Sequence, residues 1–129
     1  MAATAEQEME LMRLSQELID AVGGGDWETY TKLCCPNLTA WEPETRGECV
    51  SGLGFHKYYF NLPGGGGPRT NTTIISPKVT MLAGGLAAVV TYIRLVQRPD
   101  STSRSEETRV WEKRGSQWMN VHFHRTVPN

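Results

Sequence analysis

Three arginines interrupt apolar or aromatic runs in the second half of the chain. Arg94 lies within T-Y-I-R-L-V, Arg109 within T-R-V-W, and Arg125 ends V-H-F-H-R. A guanidinium on an inward face needs a partner because burying an unpaired charge is costly, and its planar donors suit a carboxylate. Each arginine could therefore pair with an internal acid or bind an anionic ligand, and the residue types leave both readings open. The internal acids available are Glu42, Glu44, Glu106 and Glu107.

Period-two alternation along a strand predicts the neighbours of each arginine. Arg109 should share a face with Glu107 and Trp111, and Arg94 should share one with Tyr92. In the last strand, alternation predicts one row of Met119, Val121, Phe123 and Arg125 and an opposite row of Trp118, Asn120, His122 and His124. The three arginines thus lie on or near inward faces of consecutive strands, as a built site would require.

Helices are predicted to precede the strands. Apolar spacings of three and four indicate a helix over about residues 5–22, a short one between Asp26 and Pro36, and a third over about 53–61, with a short strand at 38–42. Four strands follow, over residues 71–82, 86–98, 104–114 and 117–126. This order predicts an α+β domain whose N-terminal helix packs on one curved antiparallel sheet. Both faces of the 86–98 strand are largely apolar, so a second subunit is the simplest cover for the outer face.

Length and composition limit the classes of protein that fit. The chain has 129 residues and a formal net charge of −1, which predicts one domain over residues 1–129 and no electrostatic footprint for nucleic acid or an anionic membrane. No apolar run approaches the roughly 20 residues that a membrane span needs. Cys34, Cys35 and Cys49 form no disulfide framework, which indicates a reduced, cytoplasmic protein.

Several segments resemble one known family. The sequence is similar to the association (hub) domain of Ca²⁺/calmodulin-dependent protein kinase II over nearly its whole length, above all in S-E-E-T-R-V-W and V-H-F-H-R. The matching segments are residues 24–32, 39–44, 55–60, 92–95, 105–111 and 121–125. The resemblance implies the nuclear transport factor 2-like cone. It also implies a homo-oligomer of about 12–14 subunits in two stacked rings, a closed symmetric assembly.

The resemblance also implies a pocket and its ligand. In that family, arginines and a histidine line a deep pocket for a small carboxylate or for a tyrosine from the kinase's own linker. Here a kinase or linker segment is expected to act in trans. The matching residues are His56, Arg94, Arg109 and Arg125, and Tyr59 and Glu107 are expected beside them. No cofactor is expected.

Two features depart from the family pattern. Residues 64–67 are all glycine, where the family often has bulky or charged residues that can close over the pocket, so gating by this loop is not expected. The sequence also lacks the glycine-rich ATP loop, His-Arg-Asp and Asp-Phe-Gly of a kinase. The chain is therefore expected to be either a free-standing hub-like protein or a piece of a longer one.

Two other functions are alternatives to the hub. A small-molecule-binding or catalytic protein (isomerase, dehydratase or cyclase) on the same cone would need an acid or base inside an apolar cavity. Asp20, Asp26 and Asp100 are better explained by exposure, helix capping and a loop, so no enzyme activity is expected. A metal site at His122 and His124 would need further ligands, and none stands at the required spacing.

Overall fold

The computed structural model describes residues 3–62 and 70–128, so the glycines at 64–67 lie outside the described residues. Helix α1 spans Ala5–Gly24. It begins at a capping box in which Thr4 and Gln7 exchange hydrogen bonds, and it ends at Gly25, whose φ of 68° is the left-handed conformation that glycine adopts without strain. The predicted helix is confirmed, and it extends two residues further, through Gly23 and Gly24.

Two short helices follow at the expected places. Helix α2 spans Trp27–Leu33, and the Asp26 carboxylate caps it by accepting a hydrogen bond from the amide of Thr29. Cys34, which was expected in this helix, already belongs to the following strand. Helix α3 spans Gly54–Phe60 and presents His56 to the interior.

Six strands form one sheet: β1 (Cys34–Trp41), β2 (Val50–Ser51), β3 (Asn71–Leu82), β4 (Ala87–Arg98), β5 (Ser101–Arg114) and β6 (Gln117–Thr126). Their order is β2-β1-β6-β5-β4-β3. The α+β class and the N-terminal helix on the sheet are confirmed. The antiparallel sheet is confirmed for β3 to β6, and β1 joins it parallel to β6. A strand that enters the sheet beside the last strand has a partner distant in sequence, which local patterning does not reveal.

The connection between β4 and β5 is shorter than predicted. Strand β5 begins at Ser101 instead of residue 104, and Arg98 pairs with Ser101 across the turn at Pro99 and Asp100. A two-residue connection suffices for an antiparallel hairpin, so the serines and threonine after it extend the ladder. The polar composition of residues 101–103 reflects their exposure at the sheet end.

A β-bulge reverses the predicted faces within β6. Val110 pairs with His122 and Trp111 with Asn120, so Val121 is an extra residue opposite no partner. Trp118 and Asn120 therefore face inward, and beyond the bulge so do Phe123 and Arg125. The prediction that Arg125 and Asn120 occupy opposite faces is wrong for this reason.

The core lies between α1 and the inner face of the sheet. Leu11, Leu18 and Ile19 of α1 are fully buried in one cluster with apolar residues of the central strands. Those strand residues include Ala88, Val90, Tyr92, Trp111 and Trp118. This packing fills one end of the inner face and leaves the other end, around Arg94 and Arg125, to line a cavity.

Candidate functional site

A cavity of about 690 Å³ opens between α3, the turn at Pro43–Thr45 and the inner face of β4, β5 and β6. Its lining includes five of the six predicted site residues, namely His56, Tyr59, Arg94, Arg109 and Arg125. The sixth, Glu107, lies beneath the floor, and its side chain has no exposed area. The sequence prediction therefore identified residues that the fold brings together.

Arg109 forms the floor of the cavity, and each nitrogen of its guanidinium has a partner within the chain. Its Nε donates to the Tyr92 hydroxyl at 2.9 Å, and its Nη1 donates to Oδ1 of Asn120 at 2.9 Å. Nη2 lies 3.6 Å from Oε1 of Glu107, and the guanidinium carbon lies 3.9 Å from the centre of the Phe123 ring. This arginine is buried by internal partners, so its first role is to brace the floor of the cavity.

Glu107 joins two arginines on neighbouring strands. Its Oε1 accepts a hydrogen bond of 2.6 Å from Tyr92, and its Oε2 accepts one of 3.1 Å from Nη1 of Arg94. Burial raises the pKa of Tyr92, and the neighbouring negative charge of Glu107 raises it further although Arg109 opposes the change. The tyrosine is therefore a protonated donor in this network.

Arg125 forms the wall beside the turn at Pro43–Thr45. Its Nη2 donates to both carboxylate oxygens of Glu44, and its Nε lies 3.7 Å from Oε1 of Glu42. Together with the contacts of Arg94 and Arg109, this shows that each of the three arginines has an internal carboxylate partner. Glu106, the fourth acid considered, is exposed and outside the network.

His56 completes the wall through Glu42. Its Nε2 lies 3.1 Å from Oε2 of Glu42, while Nδ1 is buried without a hydrogen-bond partner among the described residues. Burial alone would raise the pKa of Glu42, but the hydrogen bond and charge of His56 and the charge of Arg125 outweigh it and hold the pKa below its usual range. Glu42 is therefore an ionised, internal counter-ion.

Aromatic rings form the apolar part of the cavity. Tyr30, Phe55, Tyr59 and Phe60 line it, and the rings of Phe55 and Tyr59 have centroids 5.0 Å apart. Burial raises the pKa of Tyr30, so its hydroxyl stays protonated near neutral pH. Cationic donors at one end and aromatic rings at the other can bind an anion that carries an apolar or aromatic group.

One residue essential to this arrangement escaped the sequence prediction. Asn120 accepts from Arg109 and donates to the backbone carbonyls of Val110 and His122, the residue pair just beyond the bulge. The available signal was a polar residue between the apolar Met119 and Val121. Alternation placed it on the outer face, and the bulge that reverses the faces cannot be derived from that pattern.

The histidines considered as metal ligands lie on the outer face. His122 Nδ1 lies 2.8 Å from the Thr39 hydroxyl, and the ring of His124 lies near that of Trp41. Burial and the charge of His124 lower the pKa of His122. Within residues 3–62 and 70–128, no three potential metal-ligating side chains converge. Burial also raises the pKa of Cys34 to about 11, which disfavours a reactive thiolate.

A membrane-spanning helix is also absent from the described part of the chain, where no helix is long and apolar enough to cross a bilayer.

Comparisons with known proteins give a consistent family. The sequence model for the calcium/calmodulin dependent protein kinase II association domain matches residues 7–128. The chain is 48% identical over 124 residues to the calcium/calmodulin-dependent protein kinase type II alpha chain of Drosophila melanogaster, covering 92% of this chain and 23% of that protein. It covers 25% of the delta subunit of Oryctolagus cuniculus. The chain thus spans about a quarter of the length of these curated relatives.

Solved structures agree with the sequence match. The chain resembles the association domain of the kinase from C. elegans with a TM-score of 0.87 and 36% identity, covering 95% of this chain and 96% of that one. It resembles the hub of the S. rosetta kinase with a TM-score of 0.80 and 39% identity, covering 99% of both chains.

A more distant likeness, to a nuclear transport factor 2-like protein from Cytophaga hutchinsonii, has a TM-score of 0.74 and 15% identity and covers 98% of this chain and 100% of that one. At this identity it shows the fold alone. The nuclear transport factor 2-like cone is therefore confirmed, and this chain belongs to the calcium/calmodulin-dependent protein kinase II association domain family.

Proposed function

We propose that this chain is a self-assembling hub that forms a two-tiered ring of about 12–14 copies, and that each copy holds a pocket for a carboxylate. The pocket ligand is either a small carboxylic acid or a peptide segment that contains a tyrosine. A kinase or its linker supplies the peptide segment in trans. The proposal rests on the family match over residues 7–128 and on the three arginines gathered at one end of an aromatic cavity.

The outer face of the sheet supports self-assembly. Its central strands place Val89, Ile93, Leu95 and Val110 there, all half-buried, and Ile75 of β3 is exposed. A contiguous apolar face that a lone chain leaves in contact with water favours association with another protein surface. Because a hub gathers copies of itself, the natural partner for this face is a second subunit, and assembly raises the effective concentration of anything joined to the hub.

The chemistry of the cavity supports an anionic ligand with an apolar part. Arg94 and Arg125 each reach the cavity lining, and guanidinium donors can bind a carboxylate through two parallel hydrogen bonds. Arg94 also has a buried Nε without a partner among the described residues. A carboxylate has the acceptors that such donors lack, and the rings of Tyr59 and Phe55 can pack against the rest of the ligand.

The first experiment measures the native mass of the purified chain by light scattering after size exclusion. A single species of more than about ten subunits is expected for a closed ring. A monomer or dimer across the accessible concentration range would contradict the assembly part of the proposal while leaving the family and fold intact.

The second experiment tests the pocket by isothermal titration with lactate, a short hydroxy-acid, and with a short peptide containing one tyrosine. Binding in the millimolar range or tighter, worth about 4 kcal/mol or more, is expected for at least one of them. Arg125→Gln should abolish it, while Arg114→Gln, which alters an exposed ion pair outside the cavity, should not. Absence of binding heat with both probes at millimolar concentration would contradict the pocket.

A further inference from the structure

Glu44 occupies a donor nitrogen of Arg125 that a ligand could use. Its two carboxylate oxygens both accept from Nη2 of Arg125. Both residues line the cavity. Since one guanidinium nitrogen cannot hold an internal and an external carboxylate in the same position, a ligand that binds Arg125 there must displace Glu44.

The backbone that carries Glu44 is fixed. It lies in the single 3₁₀ turn Pro43–Thr45, where the Thr45 hydroxyl donates to the carbonyl of Glu42 and accepts from its amide. Thr45 is buried, and the ring of Pro43 restricts the first residue of the turn. Displacement of Glu44 therefore requires rotation of one side chain and no movement of the turn.

Exposure distinguishes Glu44 from the other acids of the cavity. Its side chain is 33% exposed, compared with 13% for Glu42 and 0% for Glu107. A carboxylate that rotates into water regains hydration, whereas one that stays buried without its partner does not. Glu44 is thus the acid that can leave at the smallest cost, and Arg125 is the arginine that it would release.

We propose that Glu44 is an internal competing ligand for Arg125 and sets the affinity and selectivity of the pocket for carboxylates. Without a ligand, the carboxylate of Glu44 occupies Nη2 of Arg125. An incoming acid must bind Arg125 better than Glu44 does, or add contacts with the aromatic end of the cavity. The inference rests on the proposed pocket and names the residue that regulates it.

The test compares the affinity for lactate of the wild type, Glu44→Gln and Glu44→Ala by isothermal titration at neutral pH. Because an apparent dissociation constant rises as the open fraction falls, removing the competitor should tighten binding about fivefold in both variants. Asp100→Asn is the matched control. It removes another negative charge from the lining of the same cavity, without a hydrogen bond to Arg125, and should change the affinity less than about twofold.

The outcomes separate this inference from the function on which it rests. Equal affinities for the wild type and both Glu44 variants would overturn the competitor role while leaving the pocket in place. An equal gain in Asp100→Asn would also overturn it, because the effect would then be the general field of the cavity. No binding by any form, with unchanged melting temperatures to show that each is folded, would remove the pocket itself and the inference with it.

Discussion

Two arginine–glutamate networks line the same cavity and differ in burial. At the floor, Arg109 and Glu107 are fully enclosed and share Tyr92 as a common partner. At the wall, Arg125 and Glu44 contact each other where water reaches both. The residue types are the same and both arginines line the cavity. The difference is whether the carboxylate can move away from its arginine. A buried acid cannot do so without leaving a buried charge uncompensated.

This contrast separates two roles that a family resemblance assigns together. Arg109 has an internal partner for each of its nitrogens and stacks on Phe123, so it holds three strands in register around the cavity. Arg125 has a partner that can rotate away. On the proposed function, we therefore expect the ligand to contact Arg125, whose partner is partly exposed, and not the buried Arg109. The substitution of glutamate by glutamine at three positions tests this division.

Glu107→Gln should have the largest effect. The change removes the negative charge between Arg94 and Arg109 and leaves a buried cation without compensation, which costs about 3–5 kcal/mol in the free energy of unfolding. Equilibrium unfolding in urea measures it, with the same protein concentration for every variant, because assembly makes the apparent stability depend on concentration.

The matched control for Glu107→Gln is Glu112→Gln, in an ion pair with Arg114 whose side chains are about half exposed. Its cost should not exceed about 1 kcal/mol. If Glu107→Gln were no more costly than this control, the floor would not depend on its charge pair, and the contrast between floor and wall would fail.

The sequence predicted the arginines and the candidate acids of both networks but not their arrangement. The inward rows that contain Arg94 and Arg109 follow from strand alternation, and the four residues carried over from the family all line the cavity. Arg125 lies beside them only because the bulge at Val121 reverses the face of β6. A bulge depends on pairing with the neighbouring strand, so a single-strand pattern cannot predict it.

The acidic partners of the arginines also could not be predicted from local sequence patterns. Glu42, Glu44 and Glu107 were candidate counter-ions with no means of choosing between them and Glu106. The choice required the parallel pairing of β1 with β6, which brings the end of β1 and the turn at Pro43–Thr45 beside the strand that carries Arg125. Long-range pairing of this kind leaves no local periodicity to detect.

Glu42 should give an intermediate effect that depends on pH. Its pKa in the folded chain is below its ordinary value of 4.5, so its contribution to stability is present above about pH 4.5 and is lost as the pH falls through the lower folded value. Glu42→Gln has no such group. The stability of the wild type should therefore fall more steeply on acidification than that of the variant.

Urea midpoints measured between pH 7 and pH 3 for the wild type and Glu42→Gln test this expectation. The difference in stability between them should shrink below pH 4.5. If the two curves of stability against pH were parallel across the whole range, His56 and Arg125 would not stabilise the ionised carboxylate of Glu42. The contacts of Glu42 would then contribute no more than an exposed ion pair.

Glu44→Gln should have the smallest effect on stability of the three. The side chain of Glu44 is one-third exposed, and after the substitution Arg125 still has Glu42, with Nε 3.7 Å from Oε1. The loss should therefore cost no more than about 1 kcal/mol in the free energy of unfolding, as for other partly exposed ion pairs. The same urea titration at neutral pH measures this loss of stability beside that of Glu107→Gln.

A loss of stability close to that of Glu107→Gln would mean that Glu44 is held in the wall as firmly as Glu107 is held in the floor. No ligand could then displace Glu44 at a modest cost. A small loss of stability in Glu44→Gln, together with tighter binding of lactate by this variant, would mean that the floor network stabilises the fold and the wall network selects the ligand.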